Sequence, residues 1–204
     1  MVDNYGTIKE MKDYADKNNV PIMTDEGISY LTNYIINNQI QEILEIGTAI
    51  GYSAIMMALT NPNVRITSIE RDEKRYLEAI KNIKKLKLED RINLLYNDAL
   101  EVKIEDKFDL IFIDAAKAQN IKFFEKFEKN LNPTGAIITD NLKFHGLVKN
   151  KDLIKSKNVR GIVNKIEKYI EYLKENKTYI TKFYDIGDGL SVSFKRNEKK
   201  QNID

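Results

Sequence analysis

The chain has no cysteine, so a disulfide framework, a thiolate nucleophile and any sulfur-ligated metal site are excluded. It also lacks an apolar run near the roughly 18 residues needed to cross a bilayer, so no membrane span is expected. Asp3, Lys9, Glu10 and Lys12 interrupt the N-terminus, which does not read as a signal peptide, and a cytoplasmic location is the expectation. A surplus of one charge is missing too. With 33 Lys and Arg against 31 Asp and Glu, the net charge of +2 does not by itself argue for a nucleic-acid partner. Histidine occurs once, as His145 in a predicted loop, and a single loop histidine is given no role. The 204 residues suit one domain spanning 1–204, with helices over 1–38 and a polar tail over 197–204.

What the chain does have is an organising stretch, Ile43-Leu44-Glu45-Ile46-Gly47-Thr48-Ala49-Ile50-Gly51-Tyr52-Ser53. Ile43 to Ile46 is too short for a helix and rich in β-branched residues, so it predicts a buried parallel strand. Gly47 and Gly51 then permit a tight turn that brings backbone close to a ligand. The spacing is E-x-G-x-x-x-G rather than G-x-G-x-x-G, since Ala49 and Tyr52 stand where dinucleotide binders carry glycine. NAD is therefore disfavoured. Val64 to Ile69 predicts the next strand, and Glu70 at its end, about 20 residues past the turn, is placed to accept hydrogen bonds from ribose hydroxyls. Together they point to a nucleoside cofactor without a pyrophosphate.

In chain order, helices are expected over 5–18 and 25–37, the second capped near Thr24 and carrying the apolar stripe Ile28, Leu31, Tyr34, Ile35. Further helices are expected over Tyr52–Leu59, Glu73–Leu86, Ile121–Asn130 and 158–175. Strands are expected over Ile92–Leu95, Leu110–Ile113 and Ala136–Thr139, and this alternation predicts a parallel sheet with right-handed crossovers. Tyr179–Ile186 and Leu190–Lys195 flank Gly187-Asp188-Gly189 and predict an antiparallel hairpin. The fold class is thus α/β: a single Rossmann-like domain with a mostly parallel seven-stranded sheet, a C-terminal antiparallel hairpin and helices on both faces.

Two strand ends concentrate the chemistry. One predicted strand leads to Asp114 and another to Asp140-Asn141, and neighbouring carboxyl ends of a parallel sheet face one crevice. Two carboxylates and an amide oxygen form a hard ligand set that suits Mg²⁺ or another divalent cation completed by water and substrate.

The segment Glu45 to Ser53 with Glu70 resembles the class I S-adenosylmethionine methyltransferases. Adding Asn97-Asp98-Ala99, Asp114 with Lys117, Asp140-Asn141 and Asp188-Gly189, the chain resembles the metal-dependent O-methyltransferases of the catechol and caffeoyl-CoA type over nearly its whole length. That resemblance implies Glu70 on the cofactor ribose, Asp98 and Ala99 beside the adenine, and Ile22, Glu45, Gly47 and Ser53 around the methionine portion. It also implies Asp114, Asp140 and Asn141 as metal ligands, Asp114 near both cofactor and metal, and Lys117 as the group that takes the acceptor proton or stabilises the oxyanion. Ala115-Ala116 leaves a wider site than the bulky residues common in catechol enzymes. Ile113 to Lys117, Asn158-Val-Arg-Gly161 and Ile186 to Leu190 are further similar to the bacterial tRNA 5-hydroxyuridine methyltransferases. This implies a homodimer that methylates wobble 5-hydroxyuridine of tRNA to 5-methoxyuridine, with Arg160 on phosphate. A small catechol-like or phenolic acceptor is the alternative, and a non-catalytic cofactor- or RNA-binding domain of the same fold is the second.

Overall fold

The computed structural model describes residues 3–144, 146–148, 150, 152 and 154–196. His145, Lys149 and the 197–204 tail lie outside the described residues. Two helices lead the chain, α1 (Asn4–Asn18) and α2 (Asp25–Asn37). Thr24 caps α2, its hydroxyl accepting from the Gly27 amide at 3.2 Å. The alternating part follows as β1 (Glu42–Ile46), α3 (Tyr52–Ala58), β2 (Arg65–Glu70), α4 (Glu73–Lys85), β3 (Ile92–Tyr96), β4 (Phe108–Ile113), α5 (Asn120–Phe127) and β5 (Leu131–Thr139). The chain then runs through α6 (Lys157–Glu175) into the hairpin β6 (Tyr179–Tyr184) and β7 (Leu190–Lys195).

The sheet has seven strands in the order β3-β2-β1-β4-β5-β7-β6. The first five are parallel, while β7 pairs antiparallel with both β5 and β6. Strand order reverses between β1 and β4, which is where an open α/β sheet leaves a crevice beyond its carboxyl ends.

Period-two alternation divides the strands between two cores. Ile43, Ile66, Leu110, Phe112, Ile138 and Val192 pack with α1 to α4 on one face. Leu44, Ile46, Ile69, Ile111, Ile113 and Ile137 pack on the other, against α5 and α6. There Phe124 meets Tyr169, Tyr172 and Tyr179 edge-on, with ring centroids 6.5, 5.6 and 5.1 Å apart.

Two predicted boundaries move. The helix expected to reach Asn130 stops at Phe127 and tightens into a 3₁₀ turn over Glu128–Asn130. β5 starts at Leu131 rather than Ala136, because the register slips between Phe108–Leu131 and Leu110–Ala136. Pro133 sits in this bulge, where no ladder donor is required. Asp109 ties the region together: its carboxylate accepts from the amides of Gln41 and Glu42, each at 3.1 Å, and from Asn132 Nδ2 at 2.8 Å. Partial burial pushes this carboxyl up, but the Glu42, Asn132 and Gln41 donors outweigh it and hold it below the usual aspartate range. Its ionised form therefore stabilises the fold above the unfolded pKa, and that contribution is lost as pH falls through the folded value. Asp109→Ala should cost about 1 kcal/mol near neutrality and less in acid, read from urea melts at two pH values. An equal cost at both would show that the carboxylate charge plays no part.

Candidate active site

The register lines up the strand ends. Ile46 pairs with Ile69 on one side and Ile113 on the other, and Ile113 pairs with Thr139. The next residues, Gly47, Glu70, Asp114 and Asp140, therefore stand in one row along the crest of the sheet. Above it opens a cavity of about 550 Å³. Ile22, Gly47, Ser53, Glu70, Asp98, Ala99, Asp114, Lys117 and Asn141 line it, each expected from the sequence. Three expected residues do not: Glu45, Asp140 and Arg160.

The turn after β1 is fixed by its own amides. Those of Gly47 and Thr48 both reach the Ile69 carbonyl, and the Gly51 amide reaches that of Thr48. Gly47 sits at φ +98°, and a Cβ there would lie 2.4 Å from the Asp114 carbonyl oxygen. Only glycine fits both constraints.

Glu70 is buried and held by three backbone amides. Ala49 donates to Oε2 at 2.8 Å, while Arg71 and Asp72 donate to Oε1 at 2.9 and 2.8 Å. This locks the carboxylate at the cavity wall and leaves lone pairs for hydroxyl donors. Removing it by Glu70→Ala should weaken nucleoside-cofactor binding by about 1.5–3 kcal/mol, the worth of hydrogen bonds to a charged group. Unchanged affinity in calorimetry would remove Glu70 from the cofactor site. Asp98 is occupied nearby, accepting from the Leu100 amide at 2.8 Å and pairing with Arg71 at 3.3 Å.

At the other end, Lys117 Nζ donates to Asp114 Oδ1 at 2.6 Å. Asp140 is 3 % exposed, and Oδ1 accepts from the Asn141 amide at 2.6 Å. Burial first, and then the nearby Asp114, push its carboxyl up to about 7 against the pull of the Asn141 amide and Lys117. Asn141 itself takes φ +65°, a left-handed conformation that asparagine tolerates. Among the described residues no group of three or more His, Cys, Asp or Glu is assembled to hold a metal ion. The expected ligand set stands as two acids and one amide.

Glu45 points into the α1–α4 core, where alternation would put an apolar side chain, and it is fully buried. It accepts from Ser53 Oγ at 2.5 Å and from Ser68 Oγ, and Thr48 Oγ1 lies 2.5 Å from Ser68 Oγ. Burial pushes its carboxyl up to about 7, while the two hydroxyls pull it down. Sequence reading missed Thr48, Ser68, Phe144 and Asp188. The last two also line the cavity, Asp188 being set by the Lys143 amide on its carbonyl at 2.8 Å. Nothing in spacing marks a hydroxyl partner across two strands. Asp188 stood in the sequence as a turn residue and part of the family resemblance, with no place at the site.

An O-methyltransferase family model matches residues 2–196. The chain belongs to the O-methyltransferase family. A Staphylococcus aureus structure whose name places it with the caffeoyl-CoA O-methyltransferases is 38% identical, with a TM-score of 0.88 over 93% of this chain and 92% of that one. An O-methyltransferase from Bacillus cereus, solved in complex with SAH, is 25% identical, with a TM-score of 0.79 over 96% and 93%. The O-methyltransferase imqG of Aspergillus flavus is 37% identical over 139 residues, 63% of this chain and 56% of its own length. The chain thus spans little more than half of that relative.

These comparisons correct the expected acceptor. The family members that match are O-methyltransferases, with caffeoyl-CoA enzymes recurring among them, and the wobble uridine of tRNA does not stand as the substrate. Arg160 agrees with that correction. It lies in the first turn of α6, away from the cavity lining, and donates Nη2 to the Ile154 carbonyl at 3.1 Å. Its basic surroundings are a solvated helix start, not a phosphate rim around the cavity. No helix among the described residues is long and apolar enough to cross a membrane.

Proposed function

We propose that this chain transfers a methyl group from S-adenosylmethionine to a hydroxyl oxygen of a small catechol-like or phenolic acceptor. The observation that carries this is a 550 Å³ cavity with amide-locked Glu70 at one end and the Asp114–Lys117 pair with Asn141 at the other. That volume suits a cofactor and a small acceptor side by side.

Glu70 binds the ribose hydroxyls, and Ala99 with Phe123 offers an apolar wall for the base. Asp114, on the crest between the two ends, holds the cofactor ammonium. The acceptor hydroxyl loses its proton to water and its oxygen attacks the methyl carbon. The oxygen–carbon bond forms as the carbon–sulfur bond breaks, and the electron pair returns to sulfur, cancelling the sulfonium charge. Lys117, whose ammonium lies 2.6 Å from Asp114 Oδ1, stabilises the acceptor oxyanion left by deprotonation, and this placement favours that role over proton acceptance. Holding oxygen and methyl in line supplies on the order of 7–11 kcal/mol.

A divalent cation fits the acceptor end, because burial and the neighbouring Asp114 raise the cost of ionising Asp140, which a bound cation would offset. Asp114, Asp140 and Asn141 would hold it, and it would supply Lewis-acid stabilisation of the deprotonated acceptor. The test is incubation with labelled cofactor and a panel of catechols and caffeoyl-type phenols, with and without EDTA. Methylated phenol supports the reading. Tight cofactor binding without transfer to any phenol overturns the acceptor class, and full activity in excess EDTA removes the metal.

A further inference from the structure

We infer that Glu45, which never touches the cavity, takes up one proton when the cofactor's amino-acid end docks, with Ser53 turning its hydroxyl from Glu45 to the cofactor carboxylate. The inference rests on the reading that this cavity holds the cofactor.

While Glu45 is ionised it can only accept, and that sets the direction of each hydrogen bond. Ser68 gives its hydroxyl proton to Glu45 Oε2, so the Thr48 hydroxyl must be the donor in its 2.5 Å contact with Ser68. Ser53 gives its proton to Oε1 at 2.5 Å. The chain therefore runs Thr48 to Ser68 to Glu45, and Ser53 to Glu45, with every proton aimed inward. Thr48 and Ser53 line the cavity, while Glu45 is 0 % exposed behind them.

A bound amino-acid moiety brings an ammonium and a carboxylate. The ammonium has Asp114; the carboxylate needs donors. The turn can spare few, because the amides of Gly47 and Thr48 are held by Ile69 O, that of Gly51 by Thr48 O and that of Ala49 by Glu70. The Ser53 hydroxyl, at the cavity wall, is a side-chain donor that can be redirected. Once it turns outward, Glu45 keeps only Ser68 as a donor. The charged groups that face Glu45 are Asp114 at the end of β4 and Glu70 at the end of β2, both acidic. A buried carboxylate stripped of one of two donors, between two further acids and beside an arriving carboxylate, is stabilised by protonation. The new Glu45 O–H then donates to Ser53 Oγ, and the Ser53 proton goes to the cofactor. One proton enters from solvent and no other bond changes.

The experiment is titration calorimetry of S-adenosylhomocysteine at pH 8 in buffers of different ionisation enthalpy, whose slope counts protons. Uptake approaching one per cofactor is expected, falling at pH 6 where Glu45 is already partly protonated. 5′-Methylthioadenosine, which lacks the amino-acid end, should bind the same protein without uptake. Glu45→Gln should bind S-adenosylhomocysteine with no uptake, and Ser53→Ala provides the same check should that variant fail to fold. Binding of S-adenosylhomocysteine without proton uptake, or uptake that persists in both variants, overturns the inference. No binding at all would instead overturn the cofactor reading on which it rests.

Discussion

Gly47→Ala is expected to abolish cofactor binding and to lower the melting temperature, although it adds a single methyl group. The backbone there holds φ +98°, a region in which a non-glycine residue costs about 1–3 kcal/mol. The added Cβ would also lie 2.4 Å from the Asp114 carbonyl oxygen and 3.0 Å from the Ala115 Cα. Both are backbone atoms, so no rotamer change relieves the overlap. Relief requires β1 and β4 to part where the Asp114 amide donates to the Ile46 carbonyl at 3.0 Å, which displaces Asp114 from the crest. Against a typical domain stability of about 5–15 kcal/mol the variant should still fold, with the damage concentrated at the site. Thermal melts with and without S-adenosylhomocysteine read both effects. Retained ligand-induced stabilisation would mean that the turn does not approach the cofactor. Gly161→Ala is the contrasting control, since nothing lies within 4 Å of a Cβ at that position in α6. It should stabilise the chain by about 0.5–1 kcal/mol, the helix-interior penalty of glycine.

Much of this architecture is legible because the buried strands announce themselves. Ile43, Leu44 and Ile46, Leu110 to Ile113 and Ala136 to Ile138 put apolar side chains on both faces, as strands covered by helices on both sides must. The acids that follow them, Asp114 and Asp140, could be placed at one edge from topology alone. What resisted reading depends on pairing between elements. The start of β5 turns on a bulge around Pro133 that Asp109 stabilises from the neighbouring strand. Glu45 was read as lining the cofactor, whereas strand alternation sends it into the core and leaves Ser53 at the wall. Arg160 shows the opposite failure. Nothing in the Asn158 to Gly161 segment signals that the Arg160 guanidinium will fold back onto the carbonyl of Ile154. The expectation of RNA contact came from the likeness of Asn158 to Gly161 to tRNA-modifying enzymes, and a short shared segment does not tell where its arginine points.

Lys117→Ala is expected to lower turnover by about 10²–10⁴-fold while leaving S-adenosylhomocysteine affinity within a few-fold of wild type, the span usual for removing one acid–base or oxyanion-stabilising group. The geometry separates the two readouts. Lys117 lies in the short 3₁₀ turn after β4, with its ammonium 2.6 Å from Asp114 Oδ1, at the end of the cavity opposite Glu70 and Asp98. Its partner, Asp114, is the acid proposed to serve both the cofactor and the acceptor. Loss of the ammonium removes the cation beside Asp114, so the charge left on the acceptor oxygen by deprotonation loses a stabilising partner. The transition state suffers more than the ground state, and kcat should fall with little change in cofactor binding. Lys117→Arg separates charge from position: a guanidinium restores the cation but not its compact reach, so partial recovery is expected. Wild-type turnover in the alanine variant would exclude Lys117 from the chemistry. Lost cofactor affinity with unchanged kcat would assign it to holding Asp114 for the cofactor instead.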